Sequence, residues 1–504
     1  CMSAGRRHQN APAQPINNAS PYSTAKAHIC KPKDQQPAWL EKVGKAVSLT
    51  YHDNIKRIYQ KNVKKMPQCF ACIRGGWGFI DRIVLLANSE LWLGCFTMNN
   101  TSEPQKPYIV LNIKPSRGAA GYLRKKIEAA IDAGFYNFKV GLEADENGLY
   151  PNRVLPIVAT LSSYSTDHRC TFFPFKTTRK GTYADAVGLL KPYGDPNGID
   201  SASFLDKVWR FDRNTHFDVV SGIIDSLRKT TVLAPGLLHG IEYGLNEISD
   251  NVLVHSTKIQ SEHVEGYVMA QVHRQSNKVA IAVYDDGIGI PNSLRRGGVA
   301  FADTKEAIQL ALSKGVTDGN GAGNGLWLLD SIVDAASGSL DIQSDGIGYR
   351  KVHKYNGADA TIAFRNVSTP VGGSTLVDFQ VSTNSSISMS DIFEGNSPVN
   401  LWKESHETDP SGRSLRLRLA DESSGFGSRY DAAKMRCLAL NMASDADDKV
   451  YLDFADVPFI SLSFADEFIN KLMHKVGLVT FIKKYAIVNL CQSCAEAIDY
   501  ITRN

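Results

Sequence analysis

The sequence predicts a multidomain α/β chain, and three observations carry that prediction. Its 504 residues exceed what one hydrophobic core usually serves, so about three domains are expected. Apolar residues recur with period two in some segments and at spacings of three and four in others, which marks strands and helices in succession. The composition, 43% apolar and 21% charged, is that of an ordinary globular protein.

Residues 1–38 read as a basic, disordered arm. They are polar and rich in Pro, Asn, Ser and Ala, too poor in apolar surface to form a core, and they lack the apolar run of a secretory signal. Residues 1–66 hold 12 Lys and Arg against Asp34, Glu41 and Asp53, on a chain of formal charge +4. Such an arm either binds nucleic acid or is a solvated tail, and the tail is favoured. Residues 39–105 are read as an N-terminal mixed region. The longest apolar stretch, from Ile80 to Met98, is broken by Asp81, Arg82, Asn88 and Glu90 and cannot span a bilayer. Nine cysteines, an odd number, argue against a disulfide scaffold, and a cytoplasmic protein with no membrane partner is expected. Cys69/Cys72 and Cys491/Cys494 form two Cys-x-x-Cys pairs too far apart for a zinc ribbon, so they read as structural or incidental.

Residues 106–200 form a small module read as β-α-β-α-β. Its strands fall at Tyr108–Lys114, Asn137–Glu143 and Cys170–Phe175, with a helix over Gly118–Ala133 and a second before the last strand. It is loosely similar to a STAS domain and carries no chemical motif. Residues 201–380 hold the informative motifs. Residues 381–412 are rich in Ser, Asn and Asp and read as a linker. In residues 413–504, Lys449–Phe454 reads as a buried strand, Phe464–His474 as a helix, and a further strand–helix unit follows.

Three short motifs within 201–380 bear on chemistry. Leu238, Ile241, Leu245, Ile248 and Val252 mark one buried helical stripe, and Glu247, Asn251 and His255 line a second face at i, i+4 and i+8. An amide oxygen there suits Mg²⁺, a hard cation, and a carboxylate one turn away suits activation of a water or hydroxyl. A solvated helix face is the plainer alternative. The strand Lys278–Tyr284 then ends in Asp285, with Gly287 and Gly289 at alternate positions. Asp285 could accept a hydrogen bond from an adenine amine, and the glycines permit a close backbone approach; an ordinary Asp-Gly turn is equally compatible. Last, Gly319, Gly321, Gly323 and Gly325 alternate before the apolar helical run Leu326–Val333, a pattern that turns backbone N–H groups towards phosphate. A dinucleotide fingerprint would need a strand just upstream, whereas Thr304–Lys314 looks helical, and no P-loop sequence exists.

In this order and spacing the motifs resemble the N, G1 and G2 boxes of the GHKL superfamily, which includes gyrase B subunits, MutL, histidine kinases and anti-sigma-factor serine kinases. The resemblance covers about 180 residues and implies a Bergerat-fold α/β sandwich, a mixed sheet with helices on one face. It implies ATP and Mg²⁺ as cofactors, with Glu247 as catalytic base, Asn251 on the metal and Asp285 on adenine beside Gly287 and Gly289. Gly321, Gly323, Gly325 and Leu326 would hold phosphates. Residues 290–320 would be a lid from which Arg295, Arg296 and Lys314 reach the nucleotide, and Gly338–Ile342 and Gly373–Phe379 would be closing strands. The C-terminal segment resembles a STAS-like domain, in whose anti-anti-sigma relatives a GHKL kinase phosphorylates a serine at a strand-to-helix turn. That turn here is Ser461-Leu462-Ser463, with Leu462 at the usual acceptor position; helix capping by these serines is the plainer reading.

Three functions follow from the resemblance: an ATP-hydrolysing switch in bacterial signalling or stress response, a serine/threonine kinase acting on a STAS-type partner or on its own C-terminal domain, and a non-hydrolysing regulatory module, including one serving phage defence. A protein partner, STAS-type or a second copy, is expected. A two-component histidine kinase is disfavoured because no acceptor His followed by an acidic residue stands just upstream of residue 240: His216 precedes Phe217 and His239 precedes Gly240. Gyrase-like function is disfavoured because a small module replaces the transducer domain.

Overall fold

The computed structural model describes residues 108–503 except 117, 143–148, 176–185, 256–264, 320–323, 354–359, 369–372, 396–397 and 409–411. The basic arm, the 39–105 region with Cys69 and Cys72, and the loop glycines Gly321 and Gly323 lie outside the described residues. Residues 108–503 belong to one compact unit built on three sheets.

The first sheet is parallel, in the order β1 (Ile109–Ile113), β2 (Asn137–Leu142), β3 (Thr171–Pro174). Its crossovers are α1 (Ala119–Asp132) and α2 (Pro151–Asp167), so the element order read from the sequence is the one observed. Helix α2 is buried on more than one side: Val154, Leu155, Ile157, Val158 and Leu161 are all nearly inaccessible. It serves two surfaces, its own sheet and the central one.

The central sheet has seven strands. In chain order they are β4 (Val208–Phe211), β5 (Gly266–His273), β6 (Lys278–Asp285), β7 (Ser339–Ser344), β8 (Ile347–Val352), β9 (Thr361–Asn366) and β10 (Thr375–Ser382). The spatial order is β4-β5-β6-β10-β7-β8-β9. A parallel bridge, Tyr193 to Trp209, lies at the β4 edge. All pairings between these seven strands are antiparallel, where a mixed sheet was expected. Tight hairpins enforce this. Asp345 and Gly346 both take positive φ (47° and 80°) between β7 and β8, the two-residue turn whose twist suits adjacent antiparallel strands.

Helices α3 (His216–Thr230), α4 (Leu237–His255) and α7 (Gly325–Ala335) cover one face, with α5 (Ile290–Arg296) and α6 (Thr304–Ala311) between β6 and α7 in the chain. The core on that face joins Val219, Ile223, Ile241, Leu245, Leu329 and Ile332 to Val279, Ile281, Val283 and Phe379 of the sheet. The opposite face is not open. Met269, Ala282, Tyr284 and Leu376 pack with Leu155 and Val158 of α2, and Asn152 Nδ2 donates to Asp378 Oδ2 at 2.9 Å. Helices on a single face is therefore also corrected, because the N-terminal module supplies the second layer. It explains why β6 reads as a continuous apolar run: both of its faces are buried.

The stretch expected as a linker packs against the core. Ile387 and Met389 are buried with α4, and two short helices, Met389–Ile392 and Leu401–Ser405, follow β10. The third sheet is parallel, β11 (Leu415–Arg418), β12 (Val450–Asp453), β13 (Tyr485–Val488), with α8 (Arg429–Asp445) and α9 (Gln492–Arg503) around it. The helix predicted from Phe464 begins at Leu462, capped by Ser461. Helix α8 docks on α3 through buried Asn441. Its Nδ2 donates to the carbonyls of Arg228 and Thr231, both at 2.8 Å, and its Oδ1 accepts from Leu233 N–H at 2.9 Å. One side chain thus satisfies backbone groups at the end of α3 that would otherwise be orphaned. No helix among the described residues is long and apolar enough to cross a membrane.

Candidate functional site

Helix α4 presents the first motif. Its apolar stripe of Leu237, Leu238, Ile241, Leu245, Ile248 and Val252 is buried, as its spacing predicts. Gly244 lets α7 approach: a Cβ there would stand 2.9 Å from Leu329 Cδ1. Glu247 and Asn251 emerge half-buried on the adjoining face. Burial, with Asp250 adding repulsion, raises the Glu247 pKa above the ordinary carboxylate value, the direction a general base at neutral pH needs.

The third motif meets the first directly. A Cβ on Gly325 would lie 2.9 Å from Glu247 Oε2 and 3.2 Å from Asn251 Nδ2. The start of α7 and the acid–amide pair therefore face the same point in space. Asn324 at the cap position of α7 makes no side-chain cap; its Oδ1 instead accepts from Gly315 N–H at 3.1 Å. Leu326 packs at the edge of the core. A side chain at 325 would crowd the ends of Glu247 and Asn251, whereas backbone conformation sets no requirement for glycine there, since its φ is not positive.

Asp285 ends β6 almost fully buried, and its Oδ1 accepts from Gly287 N–H at 2.7 Å. Burial pushes its pKa up to about 7, with Asp286 contributing in the same direction. A buried carboxylate with this little compensation is poised to accept from a ligand donor. Gly289 has φ 79°, and a Cβ there would sit 2.6 Å from the Gly373 carbonyl oxygen, so no other residue fits. The same turn reaches α4, where Ile288 N–H points to the His255 carbonyl at 3.5 Å.

Two residues near Asp285 escaped the sequence reading. Thr375 lies directly across from Asp285 in the β6–β10 register. Ser344, fully buried, accepts from Ile290 N–H at 2.9 Å and stands 3.4 Å from Thr375 Oγ1. The Gly373-Ser-Thr375 tripeptide at the head of β10 was the available signal; its position beside Asp285 depends on β10 inserting between β6 and β7.

The remaining candidates are dispersed. Lys314 pairs with Glu394 at 2.8 Å and lies 4.8 Å from the Trp327 ring centre. Arg295 donates to Asn292 Oδ1 at 2.7 Å and lies over Phe301, while Arg296 is exposed. His255 does not join Glu247 and Asn251. Its Nδ1 lies 3.0 Å from Asp318 Oδ2 and 3.1 Å from Ser293 Oγ, and Ser293 donates to Asp318 at 2.6 Å. This cluster ties the end of α4 to both ends of the 290–318 segment. Burial lowers the His255 pKa, with Asp318 opposing. Ser461 Oγ accepts from Phe464 N–H at 3.0 Å and donates to the Gly427 carbonyl at 2.9 Å, so it is a helix cap; Ser463 lies inside the first helical turn.

The interlocked turns at 287–289 and 373, the start of α7 and the acid–amide pair are built from residues 247 to 375. Residues 239–381 match the family of histidine kinase-, DNA gyrase B- and HSP90-like ATPases. The chain carries a GHKL-type ATPase domain. Among solved structures, the chain is similar to the 43K ATPase domain of Thermus thermophilus gyrase B in complex with an aminocoumarin, at 14% identity over 34% of this chain and 44% of that one, with a TM-score of 0.18. It is similar also to the topoisomerase IV ATP-binding domain of Francisella tularensis in complex with a small-molecule inhibitor, at 20% identity over 34% of this chain and 40% of that one, with a TM-score of 0.18. The chain thus spans less than half the length of either. No curated protein matches the sequence.

A Mg²⁺ arriving on a nucleotide would need few protein donors. Among the described residues no three acidic, His or Cys side chains converge on a metal position. Mg²⁺ commonly takes one or two protein oxygens, the rest coming from phosphates and water; Asn251 carries an amide oxygen of that kind, although the atom nearest Gly325 is its Nδ2.

Proposed function

We propose that the GHKL domain binds ATP and hydrolyses it slowly, as a nucleotide-gated switch in bacterial signalling or stress response. The observation that supports this reading is the closeness of Glu247 and Asn251 to the start of α7, where a Cβ on Gly325 would stand 2.9 Å from Glu247 Oε2 and 3.2 Å from Asn251 Nδ2; Glu247 would be the base and Asn251 the metal ligand. Asp285 would accept from the adenine amine, which would be paired with the buried carboxylate instead of water. The first-turn N–H groups of α7 would receive phosphate oxygens. Glu247, with its raised pKa, would orient a water and take its proton. Asn251 would hold Mg²⁺, which when bound neutralises charge on the phosphates. The 290–318 segment, pinned at both ends to α4 through His255, would respond to the nucleotide as a lid. The C-terminal parallel unit, read as STAS-like, would be the output element, since Asn441 joins it to the helix preceding α4.

The test is incubation of the full chain with Mg²⁺ and γ-labelled ATP beside Glu247→Ala, separating free phosphate from protein-bound label. Free phosphate from the wild type, lost in Glu247→Ala with ATP binding retained, is the expected result. Label on the protein that disappears with Ser461→Ala and Ser463→Ala would replace the switch by a kinase. Bound ATP without turnover would leave a binding module.

A further inference from the structure

Helix α9 opens on Cys491-Gln-Ser-Cys494. Cys491 is the residue before the helix, its carbonyl accepting from Ala495 N–H at 3.0 Å, and it is part-exposed. Cys494, one turn in, is completely buried. Both thiols converge on one peptide. Cys491 Sγ lies 3.4 Å from the Val457 carbonyl and 3.3 Å from that of Pro458, and Cys494 Sγ lies 3.6 Å from the same Val457 oxygen. Both are free, and no third metal-binding side chain joins them among the described residues. An accessible thiol at a helix start with a buried partner one turn on is the layout that thiol–disulfide exchange requires: one sulfur to meet a partner, a second to resolve it.

We propose that Cys491 and Cys494 are a reversible dithiol–disulfide site, oxidised by a low-molecular-weight or protein disulfide, with Cys491 as the attacking sulfur and Cys494 as the resolving one. The Cys491 thiolate attacks one sulfur of the incoming disulfide, forming a mixed disulfide and expelling the first thiolate. Cys494 gives up its proton and attacks Cys491 Sγ, expelling the second. Two cysteines are oxidised, and one disulfide is reduced to two thiols. The environments of the two sulfurs assign the order. Hydrogen bonds from the Ser493 side chain and then from Cys494 lower the Cys491 pKa, whereas burial pushes that of Cys494 up to about 12.

Oxidation has a structural consequence outside the pair. The thiols donate to the turn at Val457–Pro458, which Ser493 Oγ also holds through the Pro458 carbonyl at 2.7 Å. A disulfide removes the sulfur donors and leaves the Ser493 hydroxyl on the Pro458 carbonyl. That turn leads into Phe459 and Leu462, large apolar residues 59% and 48% exposed. Redox state would therefore adjust an exposed apolar surface at the start of the Leu462–Val476 helical segment. The site needs nothing from the nucleotide-binding residues.

The experiment uses the full chain equilibrated across a series of reduced and oxidised glutathione, quenched with an alkylating agent and digested with trypsin. The peptide following Lys484, which carries both cysteines, is then weighed. The expected result is conversion of both cysteines together from doubly alkylated to an internal disulfide. At neutral pH, Cys491 should alkylate about tenfold faster in the folded chain than in the synthetic peptide 485–503. Cys494→Ala should trap glutathione on Cys491, and Cys491→Ala should leave Cys494 unmodified. Glutathione retained on Cys491 in the wild type, or both cysteines alkylatable throughout, would overturn the proposal. So would equal reactivity of folded chain and peptide.

Discussion

Replacing Gly325 with Ala separates stability from function in this protein. The added methyl would enter 2.9 Å from Glu247 Oε2 and 3.2 Å from Asn251 Nδ2, both ends of flexible side chains. The backbone tolerates it, because residue 325 has no positive φ and stands at the start of α7. Alanine is the better helix former by up to about 1 kcal/mol, so the melting temperature should hold or rise slightly. The carboxylate and amide must instead shift by a few tenths of an ångström to about one ångström. A misplacement of that size costs on the order of 100-fold in rate. Steady-state phosphate release and thermal unfolding of the same preparation decide the matter. Turnover within twofold of wild type would show that Glu247 is not the group that activates water. A fall of many degrees in melting temperature would show that Gly325 is needed for packing, and the reasoning would fail on its first step.

Four further outcomes are expected. Asp285→Asn should remove measurable ATP binding in calorimetry, since the amide presents a donor to the adenine amine; unchanged affinity would sink the assignment. The Asp285 carboxyl, raised from 3.8 to about 7, holds more protons folded than unfolded between those values, so its contribution to stability falls as pH rises through that window and is level above it. Asp285→Asn should accordingly be more stable than wild type at pH 8, by up to about 4 kcal/mol, and the advantage should vanish near pH 4 in chemical denaturation. Wild-type ATP affinity should strengthen from pH 6 to 8 as Asp285 ionises; a flat calorimetric profile over that range would refute the pairing of Asp285 with adenine. Asn441→Ala should cost about 2–3 kcal/mol by stranding the carbonyls of Arg228 and Thr231, and should open residues 381–412 to limited proteolysis; resistance equal to wild type would mean that the C-terminal unit is held by other contacts.

The motifs Glu247/Asn251, Asp285-x-Gly287-x-Gly289 and Gly325 were legible because each needs a particular residue type at a fixed local spacing. The β-α-β-α-β module was legible for a similar reason: periods of two and of three to four are properties of short windows. The antiparallel sheet was not, since pairing depends on residues far apart in the chain. The 381–412 segment read as a linker because its composition is polar, yet Ile387 and Met389 suffice to pin it against α4. Composition averages over a segment, whereas packing needs only the residues that reach the core.

His255 shows the same division. Helical spacing placed it on a line with Glu247 and Asn251, and tertiary structure assigned it to Ser293 and Asp318 instead. Thr375 and Ser344 carry no local signature, and both come beside the Asp285 turn only because β10 inserts between β6 and β7. The Cys-x-x-Cys pair at 491 and 494 read as structural or incidental, and only the fold shows one thiol part-exposed, one buried and both on the same carbonyl. By itself the sequence determined which chemistries the chain can hold, because residue identity and helix or strand period are local. Which of those residues meet, and which remain ordinary caps and ion pairs, was decided by long-range packing.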